Sequence, residues 1–450
     1  MNNKRITVSD VIKDTDIAAW TPQEIIIISA GTGAGKSYFV KNKLYEFAKG
    51  KNKKILFLIH RSNCTDQFID EINKDSKNDT INILTYQKLE NDILTYQKHI
   101  DYNEYGYIVC DEFHYFISDA QFNCTTDVSF KEIIVQKNCT KIFMSATGED
   151  IKRYIESTTQ LEIHHYSVPH SYKYIQDLTF FSSNQDIESL CKQIINKNEK
   201  GIIFLQSAQS AYELYLKFKD NAIFNCSKSN SLYKHVNKDT IASMLSNECF
   251  SANLLITTSC MDAGVNIRDR QLKTIIADIR DIGSLIQCVG RKRTVDDTDT
   301  LDNLYIKNIG NQQLAGMIRR YATELTRADY LLTHTTNEYL QKYPRQNDKL
   351  IYFATNGNET AAKVNEMKYS KKNNDIALFN NILSKPHGYC TYIANLFEFT
   401  NFGYYYSDNK LRDFLESIVD KPMLTPKDRE PLIQKMNIKK NGRTVRGLRT

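Results

Sequence analysis

The sequence predicts an α/β protein of two consecutive parallel-sheet domains followed by a mainly helical C-terminal region. Three observations carry this. Short runs rich in Ile, Val and Phe alternate with amphipathic stretches from about residue 24 to 147. The alternation restarts near 175. Beyond about 310 it stops, and 314–332 reads as one helix followed by Tyr-, Asn- and Lys-rich segments. Apolar runs too short for helices, separated by helical patterns, point to buried strands of a parallel sheet covered on both faces.

In order, the expected strands of the first domain are 25–29, 55–59, 81–84, 107–110 and 142–144, with a helix over 37–47. Those of the second are 178–181, 201–205, 222–224, 254–257, 274–277 and 304–306, with helices near 185–197 and 208–219. The stretch 157–174, which holds His164, His165, Pro169 and His170, reads as a solvated linker whose histidines lack acidic partners at metal spacing. The domains are therefore expected at 1–160, 171–310 and 311–450. A hexapeptide at 83–88 recurs at 93–98; two copies do not make a repeat architecture. The basic end, 439–449, is either a tail that touches nucleic acid or a solvated terminus.

At 450 residues the chain exceeds a single core, and its 41% hydrophobic and 25% charged content are ordinary for a globular protein. A net charge of +6 is compatible with a polyanionic partner without demanding one. The ten cysteines are scattered with no C-x-x-C, which argues against a zinc site or disulfide framework and for reduced core thiols at Cys110 and Cys288. No apolar run is long enough to span a bilayer and no signal segment opens the chain, so a cytoplasmic protein without membrane contact is expected.

The chemistry concentrates at predicted strand ends. Ala30-Gly31-Thr32-Gly33-Ala34-Gly35-Lys36-Ser37 joins an apolar strand to a helix. Glycines there let backbone N–H groups turn toward phosphates, Lys36 adds a point charge, and Ser37 offers a hydroxyl to Mg²⁺. The first position of the usual P-loop pattern, normally Gly, is Ala30. Val109-Cys110 ends in Asp111-Glu112, with His114 two residues on. Hydrolysis of a nucleoside triphosphate needs a carboxylate near the metal, suited to Asp111, and a base for water, suited to Glu112. Ser145 and Thr147 follow the strand at 142–144 and offer hydroxyls to the acidic motif or to a substrate backbone. The strand at 254–257 opens into a loop running Thr257-Thr258 to Gly264 and Asn266. Past a helical stretch, Gln287-Cys288-Val289-Gly290-Arg291-Lys292-Arg293 supplies cations that clamp a γ-phosphate only when two domains close.

In order and spacing, AGTGAGKS (30–37), DEFH (111–114), SAT (145–147), TTSCMDAGVNI (257–267) and QCVGRKR (287–293) resemble motifs I, II, III, V and VI of the superfamily 2 helicases, DExH branch. ILFLIHRSN (55–63), LTYQKL (84–89) and GIIFLQSAQSA (201–211) are similar to motif Ia, the motif after it, and motif IV. The resemblance covers roughly 20–310. It implies two RecA-like domains with ATP in the cleft and a single strand of DNA or RNA across both. It further implies phosphate binding by Ala30–Ser37, Mg²⁺ held by Ser37 and Asp111, and Glu112 as base. Coupling falls to His114, Ser145 and Thr147, and strand contacts to Arg61, Thr257 and Thr258. Gly264 and Asn266 lie near nucleotide, Gln287 near the γ-phosphate, and Arg291 is the arginine finger.

Motif VI of the family closes as Q-x-x-G-R-x-x-R, whereas here the last position is Thr294 and the nearest cation is Arg293. Either a local bend lets Arg293 serve, or Arg291 works alone. Gln23 stands too close to the P-loop to be an adenine-reading glutamine, and the lone Trp20 suits a core better than a base. The implied function is an ATP-dependent helicase or translocase. A remodeller that does not separate strands and a catalytically degenerate nucleic-acid-binding scaffold stay open, as does a protein partner for the C-terminal region.

Overall fold

The computed structural model describes residues 6–450 except 32, 61, 97–98, 119–122, 124, 170, 260–265, 345–349, 357–358, 408–418, 420–421, 423–424, 426, 431–438, 441–442 and 445–450. Thr32, Arg61, His170 and Gly264 thus lie outside the described residues, as does most of the basic end.

Six parallel strands form the first sheet: β1 (Ile25–Ala30), β2 (Lys54–Ile59), β3 (Ile81–Thr85), β4 (Tyr105–Asp111), β5 (Thr140–Ser145) and β6 (Ile163–Val168), in the order β3-β2-β4-β5-β1-β6. The run Ile25-Ile26-Ile27-Ile28 shows why a continuous apolar strand suits this place. Ile26 and Ile28 enter the core on one face, Ile25 and Ile27 the core on the other, and all four are fully buried. Trp20 is buried in the first of these cores, with its Nε1 donating to the Tyr166 hydroxyl at 3.3 Å.

The second sheet comprises β7 (Ile175–Phe181), β8 (Lys200–Leu205), β9 (Ala222–Phe224), β10 (Leu254–Thr258), β11 (Leu272–Ala277), β12 (Leu301–Lys307) and a short β15 (Gly403–Tyr404), ordered β15-β7-β12-β11-β8-β10-β9 and parallel throughout. Every strand expected in the two domains is present. The expected helices occur as Asn184–Asn196, Ala208–Lys217 and a stretch over 36–50 that includes a π-type segment, Phe39–Leu44. Cys110 and Cys288 are buried and take part in no disulfide. No helix among the described residues is long and apolar enough to cross a membrane.

One expectation is corrected. The supposed linker at 157–174 supplies β6, which pairs with β1 from Ile25↔Ile163 to Ala30↔Val168. An edge strand needs a partner on one side only, so it tolerates the polar His164 and His165. That register also brings carboxylates to the histidines: His164 Nε2 lies 3.6 Å from Glu24 and 3.5 Å from Glu162. The C-terminal region is mainly helical, as expected. Helices Asn311–Thr333, Thr336–Lys342, Glu366–Leu383 and Gly388–Leu396 accompany a hairpin, β13 (Ile351–Asn356) with β14 (Glu359–Val364), and β15 extends the second sheet. The region is also a bridge between the sheets. Met367 is buried in the first domain's core, while Phe379, Ile382, Tyr389 and Ile393 are buried in the second's.

Between those anchors, Lys371 is enclosed by three carboxylates from three elements: Asp375 of its own helix at 2.6 Å, Asp281 of the second domain at 3.6 Å and Asp150 of the first at 3.7 Å. Burial opposes the charge on Lys371, but the three aspartates hold its pKa above the ordinary lysine value. Removing one partner of a buried ionic cluster costs roughly 3 kcal/mol because it strands the others. Lys371→Met is therefore expected to lower unfolding stability by about that amount in urea titrations; an unchanged midpoint would contradict the bridging role.

A second buried charge sits behind β4. Glu90 accepts hydrogen bonds from Ser129 (2.6 Å), Asn123 (2.6 Å), Tyr115 (3.0 Å) and Thr125 (3.4 Å) and is 3% exposed. Burial pushes its pKa up to about 7 against those hydrogen bonds. The folded state thus binds the proton more tightly than the unfolded chain. Stability is greatest below the unfolded glutamate pKa, about 4.3, and falls as pH rises to the folded value. Wild type should lose on the order of 3 kcal/mol across that window, and Glu90→Gln should flatten the slope, read by denaturant melts over a pH series.

Candidate active site in the cleft between the two sheets

The P-loop leaves the C-terminal end of β1, where a parallel sheet presents ligand-binding loops. Gly33 and Gly35 take φ of 80° and 81°, the left-handed region that glycine enters freely. Gly35 caps the following helix. Lys36 is buried, with Nζ 3.1 Å from the Ala30 carbonyl oxygen and 3.1 Å from Glu112 Oε1. Ser37 is exposed at the first turn.

Asp111 ends β4, and Glu112 turns away with φ 47°. A long side chain rarely adopts that backbone region, at a cost of about 1–3 kcal/mol. Here the turn aims the Glu112 carboxylate at Lys36 and His114. Burial opposes ionisation of Glu112, but the Lys36 ammonium and His114 outweigh it and hold its pKa below the usual carboxylate range. Asp111 goes the other way: burial and the neighbouring Glu112 charge push it up to about 7. Asp111 Oδ1 is buried with no hydrogen-bond partner among the described residues. A carboxylate oxygen left so fits a cation ligand.

His114 lies at the centre of a polar chain. Its Nδ1 is 2.9 Å from Ser145 Oγ and 3.3 Å from Glu112 Oε2, and Ser145 Oγ also accepts the Thr147 backbone N–H at 3.0 Å. From the second domain, Gln287 Nε2 reaches His114 Nε2 at 2.7 Å and Thr147 Oγ1 at 3.5 Å. An amide N–H donates, so Nε2 accepts and the ring proton sits on Nδ1, directed at Ser145 and Glu112. One imidazole thus connects Glu112 to the opposite domain.

The backbone after the helix Ile282–Val289 sets where Arg291, Lys292 and Arg293 point. The helix Ile282–Val289 ends at Gly290, and Lys292 then pairs with Ile267 in an isolated parallel bridge, with Ile267 N donating to Arg291 O (2.9 Å) and Arg293 N to Ile267 O (2.8 Å). In extended backbone, side chains alternate. Lys292 turns into a fully buried pair with Asp299 (2.7 Å), while Arg291 and Arg293 share the other side. Arg293 Nε donates to Asn266 Oδ1 at 2.9 Å, and its guanidinium comes within 3.3 Å of where a Cβ on Gly33 would stand. Arg291 is 2% exposed, with Nε on the Gln287 carbonyl oxygen at 3.2 Å.

Ala30, Gly31, Gly33, Ala34, Gly35, Lys36, Ser37, Asp111, Glu112, His114, Ser145, Thr147, Asn266, Gln287, Arg291 and Arg293 thus gather at facing strand ends. Thr257 and Thr258 stand apart at the end of β10; Thr257 is fully buried, leaving half-buried Thr258 as the more accessible of the two. Gln23 sits before β1, its carbonyl oxygen accepting from Lys141 Nζ, at the opposite end of the strand from the P-loop. Sequence reading missed His60, buried with its ring 4.8 Å from that of Tyr115 behind His114, and Asp281, whose Oδ1 caps the helix carrying Gln287 by accepting from Ser284 N at 2.8 Å. An Asp followed three residues on by Ser at a helix start was the available signal for the cap.

Residues 68–150 match the family described as type III restriction enzyme, res subunit. No curated protein matches the chain. Solved structures it resembles include Dbp5 of S. cerevisiae bound to RNA and ADP BeF3 (14% identity, 65% of this chain and 81% of that one, TM-score 0.47). Mss116 bound to ssRNA and UDP-BeF is similar at 14% identity (67% and 69%, TM-score 0.48). A DEAD box protein from the hyperthermophile Methanococcus jannaschii is similar at 16% identity (71% and 97%, TM-score 0.36).

Arg293→Ala is expected to reduce ATP turnover by about 10²–10³-fold, the scale of losing one preorganised charge donor, while leaving the melting temperature within a few degrees. Unimpaired ATP turnover in this variant would show that Arg293 takes no part in it.

Proposed function

We propose that the chain is a nucleic-acid-dependent ATPase that couples ATP hydrolysis to movement along, or opening of, DNA or RNA. The observation that carries this reading is the contact across the cleft: Gln287 on His114 and Arg293 against the Gly33 turn join the hydrolytic carboxylate to the second domain.

Each residue has a task that its setting suits. Backbone N–H groups around Gly33 and Gly35 face phosphate oxygens, and Lys36 swings from Glu112 to the phosphates. That frees Glu112, kept ionised by His114, to take a proton from the attacking water. Mg²⁺, held by Ser37 and Asp111, would neutralise charge on the phosphate oxygens. Arg293, and Arg291 beside it, add positive charge only while the domains are closed. Thr258, and Arg61 on the first domain, contact the strand backbone. Because His114 bonds both Glu112 and Gln287, any shift of the second domain alters how Glu112 is held, and strand binding that spans both domains changes turnover.

ATP turnover measured with single-stranded DNA, single-stranded RNA and duplexes tests this. One polymer is expected to stimulate turnover, and Glu112→Gln to abolish the stimulated rate by about 10²–10⁴-fold. Turnover indifferent to every polymer would sink the proposal.

A further inference from the structure

The geometry points to a phosphate-binding subsite between the second sheet and the helix Asn311–Thr333, built on Arg280 and Arg320, which holds the backbone of the nucleic-acid strand beyond the two sheets. This inference rests on the reading of the chain as a nucleic-acid-dependent ATPase and names a part of its track that none of the helicase-like motifs contains.

Arg280 follows β11, and Arg320 lies in the third turn of the long helix; both are exposed and line one cavity of about 220 Å³ with Ile309, Gln313, Gly316 and Met317. Neither arginine has a carboxylate within ion-pair distance among the described residues. Nearby acids are engaged elsewhere: Asp278 with Lys307 at 2.6 Å, Asp281 with Lys371, and Glu324 with Lys372. Other arginines of the second domain are paired, Arg268 with Glu248 and Arg270 with Asp296. Arg320 rests over the Tyr321 ring, 5.3 Å from its centroid, which positions the guanidinium without neutralising it.

Gly316 supplies a separate indication. A glycine inside a 23-residue helix costs roughly 1 kcal/mol relative to alanine. It is usually repaid by a close approach, yet nothing lies within 4 Å of where its Cβ would stand. What the missing side chain does is keep the wall open between Gln313 and Arg320. Two cations and an amide donor around an open groove suit a phosphodiester, since guanidinium forks match phosphate oxygens.

Position agrees. Because the second sheet is parallel throughout, the ends of β11 and β12 that border the cavity lie along the same edge as Thr258 at the end of β10. Arg280 N donates to Gln206 Oε1 at 3.2 Å, just past the end of β8, so the edge is continuous from β10 to the cavity. A strand lying along it would pass from Thr258 to Arg280 and Arg320.

The test is binding of labelled single-stranded oligothymidine and oligouridine over a salt series, by fluorescence anisotropy, with the full chain. Each phosphate neutralised on a single strand contributes about 0.7 to the log–log salt slope, so Arg280→Gln/Arg320→Gln should flatten it by about 1.4 and weaken low-salt binding about tenfold or more. Arg280→Lys/Arg320→Lys should keep the slope. Both positions are exposed, so thermal unfolding should not move; a double variant that melts early is replaced by Arg320→Gln alone, with a change of about 0.7. A glutamine variant that binds with the wild-type slope overturns the subsite and leaves the ATPase reading standing. Wild-type protein that binds neither polymer overturns that reading, and the subsite with it.

Discussion

The site depends on how far apart two sheets are held, and a buried ammonium group governs that distance. Lys371 stands among Asp150 of the first domain, Asp281 of the second and Asp375 of its own helix. Asp281 in turn caps the helix that carries Gln287. A cation that satisfies carboxylates from both sides tolerates little change in their separation, because each would be left charged in a poorly solvated place. The helix bearing Lys371 is rooted at one end in the first domain's core by Met367 and at the other in the second's by Phe379 and Ile382. The C-terminal region is therefore part of the frame of the cleft.

Within that frame, electrostatics sort two adjacent carboxylates into different states. Asp111 and Glu112 are neighbours in sequence, yet the left-handed turn at Glu112 sends one side chain to Lys36 and His114 and leaves an oxygen of the other buried with no hydrogen bond among the described residues. Backbone strain of that kind persists only where the surroundings hold it. Here the hold comes from the ion pair to Lys36 and from the Phe113 N–H, which bonds to the Met144 carbonyl on the neighbouring strand. His114 stands within hydrogen-bonding reach of Glu112 on one side and Gln287 on the other, so a single imidazole touches both domains.

Much of this was legible in the chain. Periods of short apolar runs located eleven of the sheet strands, since a strand covered on both faces must be apolar at consecutive positions. The glycine-rich loop at 30–37, the Asp111-Glu112 pair and the cationic Arg291–Arg293 segment were visible as unusual residue types at close spacing. What failed was where local pattern and location part company. β6 looked like a linker because an edge strand need bury little. The repeated hexapeptide shows the same limit: its first copy ends β3 and begins the helix Tyr86–Tyr96, while the described part of its second copy lies within that helix.

By itself the sequence determined the two parallel sheets and the polar and charged residue types placed at their strand ends, because these follow from short-range periodicity. Tertiary structure decided which of these groups meet. It turned Arg293 toward Gly33 through an extended bridge with alternating side chains, buried Lys292 and Thr257, strained Glu112 toward Lys36, and enclosed Lys371 among aspartates more than two hundred residues apart. Contacts of that kind depend on register, backbone direction and the packing of distant segments, none of which is encoded in a short window of residues.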